Sequence, residues 1–180
     1  MIVATWNVNS IRARHDRVLA WLERHRPDVL CLQELKVTEA DFPRDAFAAL
    51  GYHAVVHGQP TYNGVAVLAR TVPDDIRASL GDDVDDPQAR LVACRFGELW
   101  VLSAYAPNGG EVGSDKWIYK LAWLARLRAH LERTYAPATP LALCGDLNVA
   151  GDDLDVARPD AWAGSVLCHG DARDALGQVL

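Results

Sequence analysis

The sequence lacks any apolar run long enough to cross a membrane. Half of its 180 residues are hydrophobic, yet no stretch approaches the 18 or so consecutive apolar residues of a membrane helix. The first residues, Met1-Ile2-Val3, bring neither a basic segment nor a small-residue cleavage site, so we expect no secretion signal. The sequence therefore predicts a protein without a membrane partner.

Cysteines are few, and their spacing is not that of a zinc site. The four cysteines, Cys31, Cys94, Cys144 and Cys168, form no C-x-x-C pair, and the first three lie in apolar segments. This pattern is typical of buried thiols in a reducing compartment. It predicts a cytoplasmic protein without disulfides or zinc.

An excess of positive charge is missing, and so are the common nucleotide-binding loops. The chain has 18 basic and 24 acidic residues, a net charge of −6, which disfavours a non-specific coat around nucleic acid. Neither G-x-G-x-x-G nor G-x-x-x-x-G-K-[ST] occurs, which removes the two commonest nucleotide-fold motifs. The net charge does not exclude a local basic face, because residues 1–36 carry six basic and four acidic side chains.

What is present is an alternation of strand-like and helix-like segments. Short apolar runs predict strands at residues 2–6, 29–33, 53–57, 65–69, 91–96, 99–104 and 141–144. Helical spacing predicts helices at 11–26, 38–50, 114–134 and from 171 onward, with Ser10 and Ser114 as N-caps and a loop over 149–170. Because strands come both singly between helices and in hairpins, the pattern indicates a mixed α/β chain and not a purely parallel sheet.

Four of the apolar runs end in polar groups able to do chemistry. These groups are Asn7, Gln33 with Glu34, Tyr105, and the segment Gly145-Asp146-Leu147-Asn148. Sites in open α/β layers gather at the carboxyl ends of strands, and a carboxylate beside a buried strand is costly unless it pairs or binds a cation. The oxygen donors suit Mg²⁺ or Mn²⁺ better than zinc. The alternative is that each residue is a strand-end cap or turn residue.

Five motifs follow one another along the chain, namely TWNVNSIRAR at 5–14, LQELK at 32–36, YNGVA at 62–66, YAPNG at 105–109 and GDLN at 145–148. In this order they resemble the exonuclease III-type AP endonucleases of the endonuclease/exonuclease/phosphatase superfamily. The resemblance extends from Met1 to about Gln178. It implies a four-layered α/β sandwich of the deoxyribonuclease I-like kind, in which two mostly antiparallel sheets face each other and helices lie outside.

The resemblance also implies a reaction and a site. The reaction would be Mg²⁺- or Mn²⁺-dependent hydrolysis of DNA phosphodiesters at abasic sites and at the 3′ ends of duplex DNA. Glu34 would be the main metal carboxylate with Asn7 beside it, and Tyr105 would bond or polarise the scissile phosphate. Asp146 would orient or deprotonate the attacking water near the metal. Asn148 would bond phosphate oxygens and help to hold the site together.

Six residues are expected to contact DNA, because phosphate contacts position a duplex without reading its sequence. They are Arg12, Arg14, Lys36, Asn63, Lys116 and Lys120. The alternative for each charged residue is a solvated surface charge, and the alternative for Asn63 is a turn between strands. The protein is expected to act as a monomer.

The sequence departs from the family pattern near its end. The family carries a late Asp-His element that this sequence lacks, and the chain stops at Leu180 within a helical pattern. We therefore expect one domain over residues 1–180 that lacks its C-terminal strands, has low stability and has weak or no nuclease activity. Two other functions stay open: a superfamily phosphoesterase acting on lipid or inositol phosphates, and a non-catalytic fragment that binds DNA.

Overall fold

The computed structural model describes all residues from Met1 to Leu180 and divides them into two compact units. The first unit comprises Met1–Tyr105 and Ala138–Asp146, and the second comprises Ala106–Pro137 and Leu147–Leu180. All strands belong to the first unit. None of the helices combines the length and the apolar character that a membrane crossing requires.

The first unit contains two four-stranded sheets. The first sheet has the order β1-β2-β4-β3, with β1 Val3–Asn7, β2 Val29–Gln33, β3 His53–His57 and β4 Val65–Ala69. The second has the order β5-β6-β7-β8, with β5 Asp75–Ala78, β6 Leu91–Phe96, β7 Leu99–Tyr105 and β8 Leu141–Asp146. Only β1–β2 and β7–β8 are parallel pairs. Both sheets are therefore mostly antiparallel, as predicted.

Five α-helices accompany the sheets. The first unit holds α1 Ile11–His25 and α2 Arg44–Ala49, and the second holds α3 Asp115–Thr134, α4 Pro159–Trp162 and α5 Gly170–Gly177, with a short 3-10 helix at Asp153–Asp155. The Ser10 side chain accepts a hydrogen bond from the amide of Ala13, and the Ser114 side chain accepts one from Trp117. Both predicted N-caps are confirmed.

Alternating side chains of β2 and β4 are buried on both faces of the first sheet. On one face, side chains of β2 and β4 pack with residues of α1 and α2; the strand residues are Leu30, Leu32, Ala66 and Leu68, and the helix residues are Ile11, Val18, Leu22 and Phe47. On the other face, they pack with the second sheet; the residues of β2 and β4 are Val29, Cys31, Val65, Val67 and Ala69, and those of the second sheet are Val92, Cys94 and Val101. Because strand side chains alternate with period two, the first sheet forms the middle layer between helices and the second sheet.

Some element boundaries differ from the predictions. Helix α2 begins at Arg44 and not at residue 38, because Thr38 and Asp41 close a turn through their side chains and Pro43 precedes the helix. Strand β5 was not predicted. Strand β8 continues past Cys144 to Asp146, and short helical segments occupy part of the predicted loop at 149–170.

Candidate active site

The side chain of Asn7 links two carboxylates that come from different sheets. Its Nδ2 donates to Glu34 Oε1 at 2.8 Å and to Asp146 Oδ2 at 2.7 Å. Asn7 ends β1, Glu34 follows β2 and Asp146 ends β8. The backbone amide of Asn9 donates to Asn7 Oδ1 at 2.9 Å, so the amide nitrogen of Asn7 is turned toward the carboxylates. The structure thus brings together three of the predicted metal-site residues.

Tyr105 joins this cluster as a neutral donor. It ends β7 directly opposite Asp146 of β8, and its phenol lies close enough to the Glu34 carboxylate for each group to shift the pKa of the other. Burial raises the pKa of the Tyr105 phenol well above its ordinary value, and the negative charge of Glu34 raises it further. The phenol therefore keeps its proton at any physiological pH and remains a hydrogen-bond donor.

Opposing effects act on the pKa of Glu34. Burial raises it, but hydrogen bonds from Asn7 and Tyr105 and the ammonium of Lys36 lower it more, so that the pKa falls below its ordinary value. Lys36 Nζ lies 3.2 Å from Glu34 Oε2. Glu34 is therefore ionised at neutral pH, and the structure places Lys36, a predicted DNA contact, against this carboxylate.

The backbone around Glu34 is held in an unfavourable conformation. Glu34 has φ 55° and Lys36 has φ 56°, in the left-handed region that costs a non-glycine residue about 1 kcal/mol or more. Backbone hydrogen bonds join the segment after β1 to this one, from Val8 to Gln33, from Ser10 to Glu34 and from Ile11 to Leu35, at 2.7 to 3.1 Å. These bonds hold Glu34 beside Asn7 despite the strain.

The lowered pKa of Glu34 predicts a pH dependence of stability, measured in EDTA. A carboxyl group whose pKa is lower in the folded than in the unfolded chain stabilises the fold fully above its unfolded pKa. That stabilisation is lost as the pH falls through the folded pKa. Urea unfolding of the wild type and of Glu34→Gln should therefore show a difference in the free energy of unfolding that is constant near pH 7. Below about pH 4.3 the wild type should lose stability relative to the variant. A difference that stays the same down to pH 3 would contradict the shift.

Asn148 lies in the second unit. Its Nδ2 donates to the carbonyl of Ala106 at 2.9 Å, and its Oδ1 accepts a hydrogen bond from Asn108 Nδ2 at 3.2 Å. With φ at 51°, Asn148 adopts the left-handed conformation that asparagine tolerates better than most residues. The two amide side chains thus form a pair, and the phosphate and metal roles of Asn148 stay predictions.

Lys120 does not lie where a DNA contact would. The side chain is fully buried, and its Nζ donates to the carbonyl oxygens of Asn108, Asn148 and Val166 at 3.3, 2.6 and 2.5 Å. An ammonium has three protons to donate, and these carbonyls account for three hydrogen bonds. Lys120 thus cross-links three loop segments of the second unit, a placement that does not fit the predicted DNA contact.

We predict that Lys120→Met destabilises the protein by about 3 kcal/mol or more, because it leaves buried carbonyls without their charged donor. The matched control is Lys116→Met on the same helix, whose side chain is exposed and whose loss should change stability by about 0.5 kcal/mol or less. Chemical denaturation of both variants measures the difference. Equal stabilities would show that the buried ammonium does not hold the loops.

Asn63 also departs from its predicted role. It is buried, with φ at 51°, and its Nδ2 donates to the side-chain oxygens of Gln59 and Gln88 at 3.2 and 3.1 Å. The alternative of a turn residue fits these contacts, and a DNA contact does not. Arg12 is 66% exposed and lies 3.5 Å from Asp41, a loose pairing that leaves its charge accessible.

Comparison with known proteins identifies the family. Residues 4–173 match the Endonuclease/Exonuclease/phosphatase family. The chain belongs to this family. It is 35% identical over 161 residues to Exodeoxyribonuclease III of Haemophilus influenzae, a match that covers 87% of this chain and 60% of that protein.

Solved structures are similar to almost the whole chain. An AP endonuclease from Archaeoglobus fulgidus superposes with a TM-score of 0.95 at 39% identity, covering 99% of this chain and 70% of that one. The 3′ phosphatase NExo from Neisseria, bound to product DNA hairpin, gives a TM-score of 0.95 at 36% identity with the same coverage. The predicted fold class and the resemblance to exonuclease III-type enzymes are confirmed.

The donor set of the cluster fits a divalent ion of the kind that the family resemblance implies. Mg²⁺ in proteins is held by one or two carboxylates and keeps several waters. Here two carboxylates, Glu34 and Asp146, both accept hydrogen bonds from one amide nitrogen. Their oxygen atoms are donors that suit a hard cation.

Sequence reasoning noted Gln33 at the end of its strand but gave no site role to two other polar residues beneath the cluster, Ser103 and Arg90. Gln33 and Ser103 are buried and hydrogen-bonded to each other, and Arg90 donates to the carbonyl of Tyr105 at 3.0 Å with its guanidinium 5.0 Å from the ring. A detectable signal was the position of Gln33 and Ser103 within otherwise apolar strands. Arg90, which precedes β6, gave no such signal.

Proposed function

We propose that the protein is a DNA-repair nuclease that hydrolyses phosphodiesters at abasic sites and at the 3′ ends of duplex DNA, with Mg²⁺ or Mn²⁺ as cofactor. The observation that supports this most is the Asn7 amide between Glu34 and Asp146, beside the protonated phenol of Tyr105. The relatives named exodeoxyribonuclease III and AP endonuclease support the same reaction. The chain spans only 60% of the length of its relative from Haemophilus influenzae. We therefore propose the activity from the residues of this chain and do not take it from the name of the relative.

The side chains of the cluster have distinct roles in this proposal. Glu34 and Asp146 hold the divalent ion, which supplies neutralisation of charge on the phosphate oxygens when bound. Tyr105 donates a hydrogen bond to a non-bridging phosphate oxygen without bringing a charge that would compete for the cation. Asp146 orients the attacking water and accepts its proton, and the Asn148 amide binds the phosphate.

Four basic residues of the protein contact the DNA backbone in this proposed function. Arg12, Arg14, Lys36 and Lys116 remain, whereas Lys120 and Asn63 are used internally. Their contacts would place the duplex without reading its sequence. We further propose that the protein acts as a monomer in the cytoplasm.

The test is cleavage of a fluorescent duplex with one abasic-site analogue, and of a duplex with a recessed 3′ end. The protein is used in excess, so that slow turnover of this chain is detected. We expect products with Mg²⁺ or Mn²⁺ and none with EDTA. No product with either metal would overturn the proposal, as would release of phosphate from inositol phosphates alone. A gel shift that is indifferent to EDTA, without cleavage, would indicate a DNA-binding module.

A further inference from the structure

We infer that Gln33 is a positioning residue for this site, acting through Ser103 and Thr5. It would fix the alignment of the sheet that carries Asn7 and Glu34 against the sheet that carries Tyr105 and Asp146. This inference rests on the proposed function, because it concerns the geometry of the same site.

The Gln33 side chain forms hydrogen bonds to both sheets. Its exposed fraction is 1%, and its Nε2 donates to Ser103 Oγ at 3.0 Å and to Thr5 Oγ1 at 3.1 Å. The Ser103 hydroxyl, which is fully buried, donates in turn to the carbonyl of Leu32 at 3.1 Å. Strands β1, β2 and β7 are therefore joined by one polar network, which is buried at Gln33 and Ser103 and exposed at Thr5.

The network lies directly beneath the candidate active site. Side chains two residues apart on a strand share a face, so Thr5 lies on the same face of β1 as Asn7. For the same reason Ser103 lies on the same face of β7 as Tyr105. Gln33 immediately precedes Glu34 along the chain. Thr5 and Ser103 are thus each two residues from a residue of the site, and Gln33 is one residue from Glu34.

Alignment of the two sheets matters because each contributes half of the site. Asn7 reaches Asp146 across the sheets at 2.7 Å, a distance that a shift of about 1 Å would take out of hydrogen-bonding range. The apolar contacts of Val29, Val67 and Val101 between the sheets are non-directional and tolerate such a shift. The hydrogen bond from Gln33 to Ser103 is directional and does not tolerate such a shift.

Stability alone is a poor reason for placing this network in an apolar core. A buried polar group adds about 1 kcal/mol net when it is paired and costs more when it is not. Replacing Gln33 and its partners together by apolar side chains of the same shape could be nearly neutral for stability. A gain in geometric definition accounts for Gln33, since satisfied networks rigidify the part of the core in which they lie.

The test measures Mn²⁺ binding to the full 180-residue chain by electron paramagnetic resonance of the free ion. Gln33→Met keeps the volume and removes the network, and we expect the dissociation constant for Mn²⁺ to rise about tenfold. The control is Tyr52→Phe, which removes a buried hydrogen bond of 2.8 Å to the carbonyl of Pro27 at the other end of β2. It should leave the dissociation constant unchanged.

Ser103→Ala provides a second variant if Gln33→Met does not fold. It should raise the dissociation constant in the same direction, and the double variant should be no worse than Gln33→Met because both act through one network. A lower unfolding temperature with unchanged Mn²⁺ binding in the variants would overturn the inference and leave only a structural role. Absence of Mn²⁺ binding in the wild type would instead overturn the proposed function, and this inference with it.

Discussion

Glu34→Gln is expected to lower the rate of cleavage at an abasic site by about 10³-fold, an effect of about 4 kcal/mol on the barrier. Glutamine keeps the side-chain volume and an oxygen that can accept the hydrogen bond from Asn7. It removes the negative charge that would hold the divalent ion, and it presents an amide group to Lys36 and Tyr105. The loss therefore reports charge and not shape.

The matched control is Glu39→Gln, which removes a carboxylate of the same type from the surface. Glu39 is 66% exposed and pairs with Arg44 at 2.8 Å. Single-turnover cleavage in Mg²⁺ should be unchanged in this variant. Circular dichroism should show both variants folded. A cleavage rate of Glu34→Gln within about threefold of the wild-type rate would show that Glu34 has no role in the reaction.

The layers of the fold were predictable because the strands are short runs of apolar residues with clear ends. Strands β2 to β4 and β6 match their predicted bounds. Strand β5 escaped prediction because Asp75-Ile76-Arg77-Ala78 has a single large apolar residue, and that residue, Ile76, is half exposed. Pairing with β6 makes this segment a strand, and no local pattern records such a pairing.

The site could be predicted where a motif carries it, and not where packing decides. Asn7, Glu34, Tyr105 and Asp146 follow apolar strands, and the topology brings those strand ends together. Lys120 was predicted to contact DNA because a lysine on a long helix is usually solvated, and its burial was not expected. Its spacing of three from Trp117 and four from Leu124, both buried, places it on the apolar stripe of α3, and this spacing was visible in the sequence.

Gly145→Ala is expected to abolish the native fold of the first unit or to destabilise it by about 4 kcal/mol or more. Gly145 has φ 146° and pairs with Ala104 of β7. A Cβ at this position would lie 1.9 Å from the carbonyl oxygen of Ala104 and 2.8 Å from its carbonyl carbon. The obstacle is backbone within a buried sheet, so no side-chain rotation relieves it.

The clash acts on the site as well as on stability, because β8 carries Asp146 next to Gly145. If β8 separates from β7, Asp146 loses its position opposite Tyr105, so Mn²⁺ binding should disappear together with the cooperative unfolding transition. Gly177→Ala is the control, since a Cβ there meets no atom within 4 Å and alanine favours a helix over glycine by about 1 kcal/mol. If the free energy of unfolding of Gly145→Ala lay within about 1 kcal/mol of the wild-type value, β8 would not pair with β7 in this register. Asp146 would then lack the support on which both the proposed metal site and the proposed hydrolysis depend.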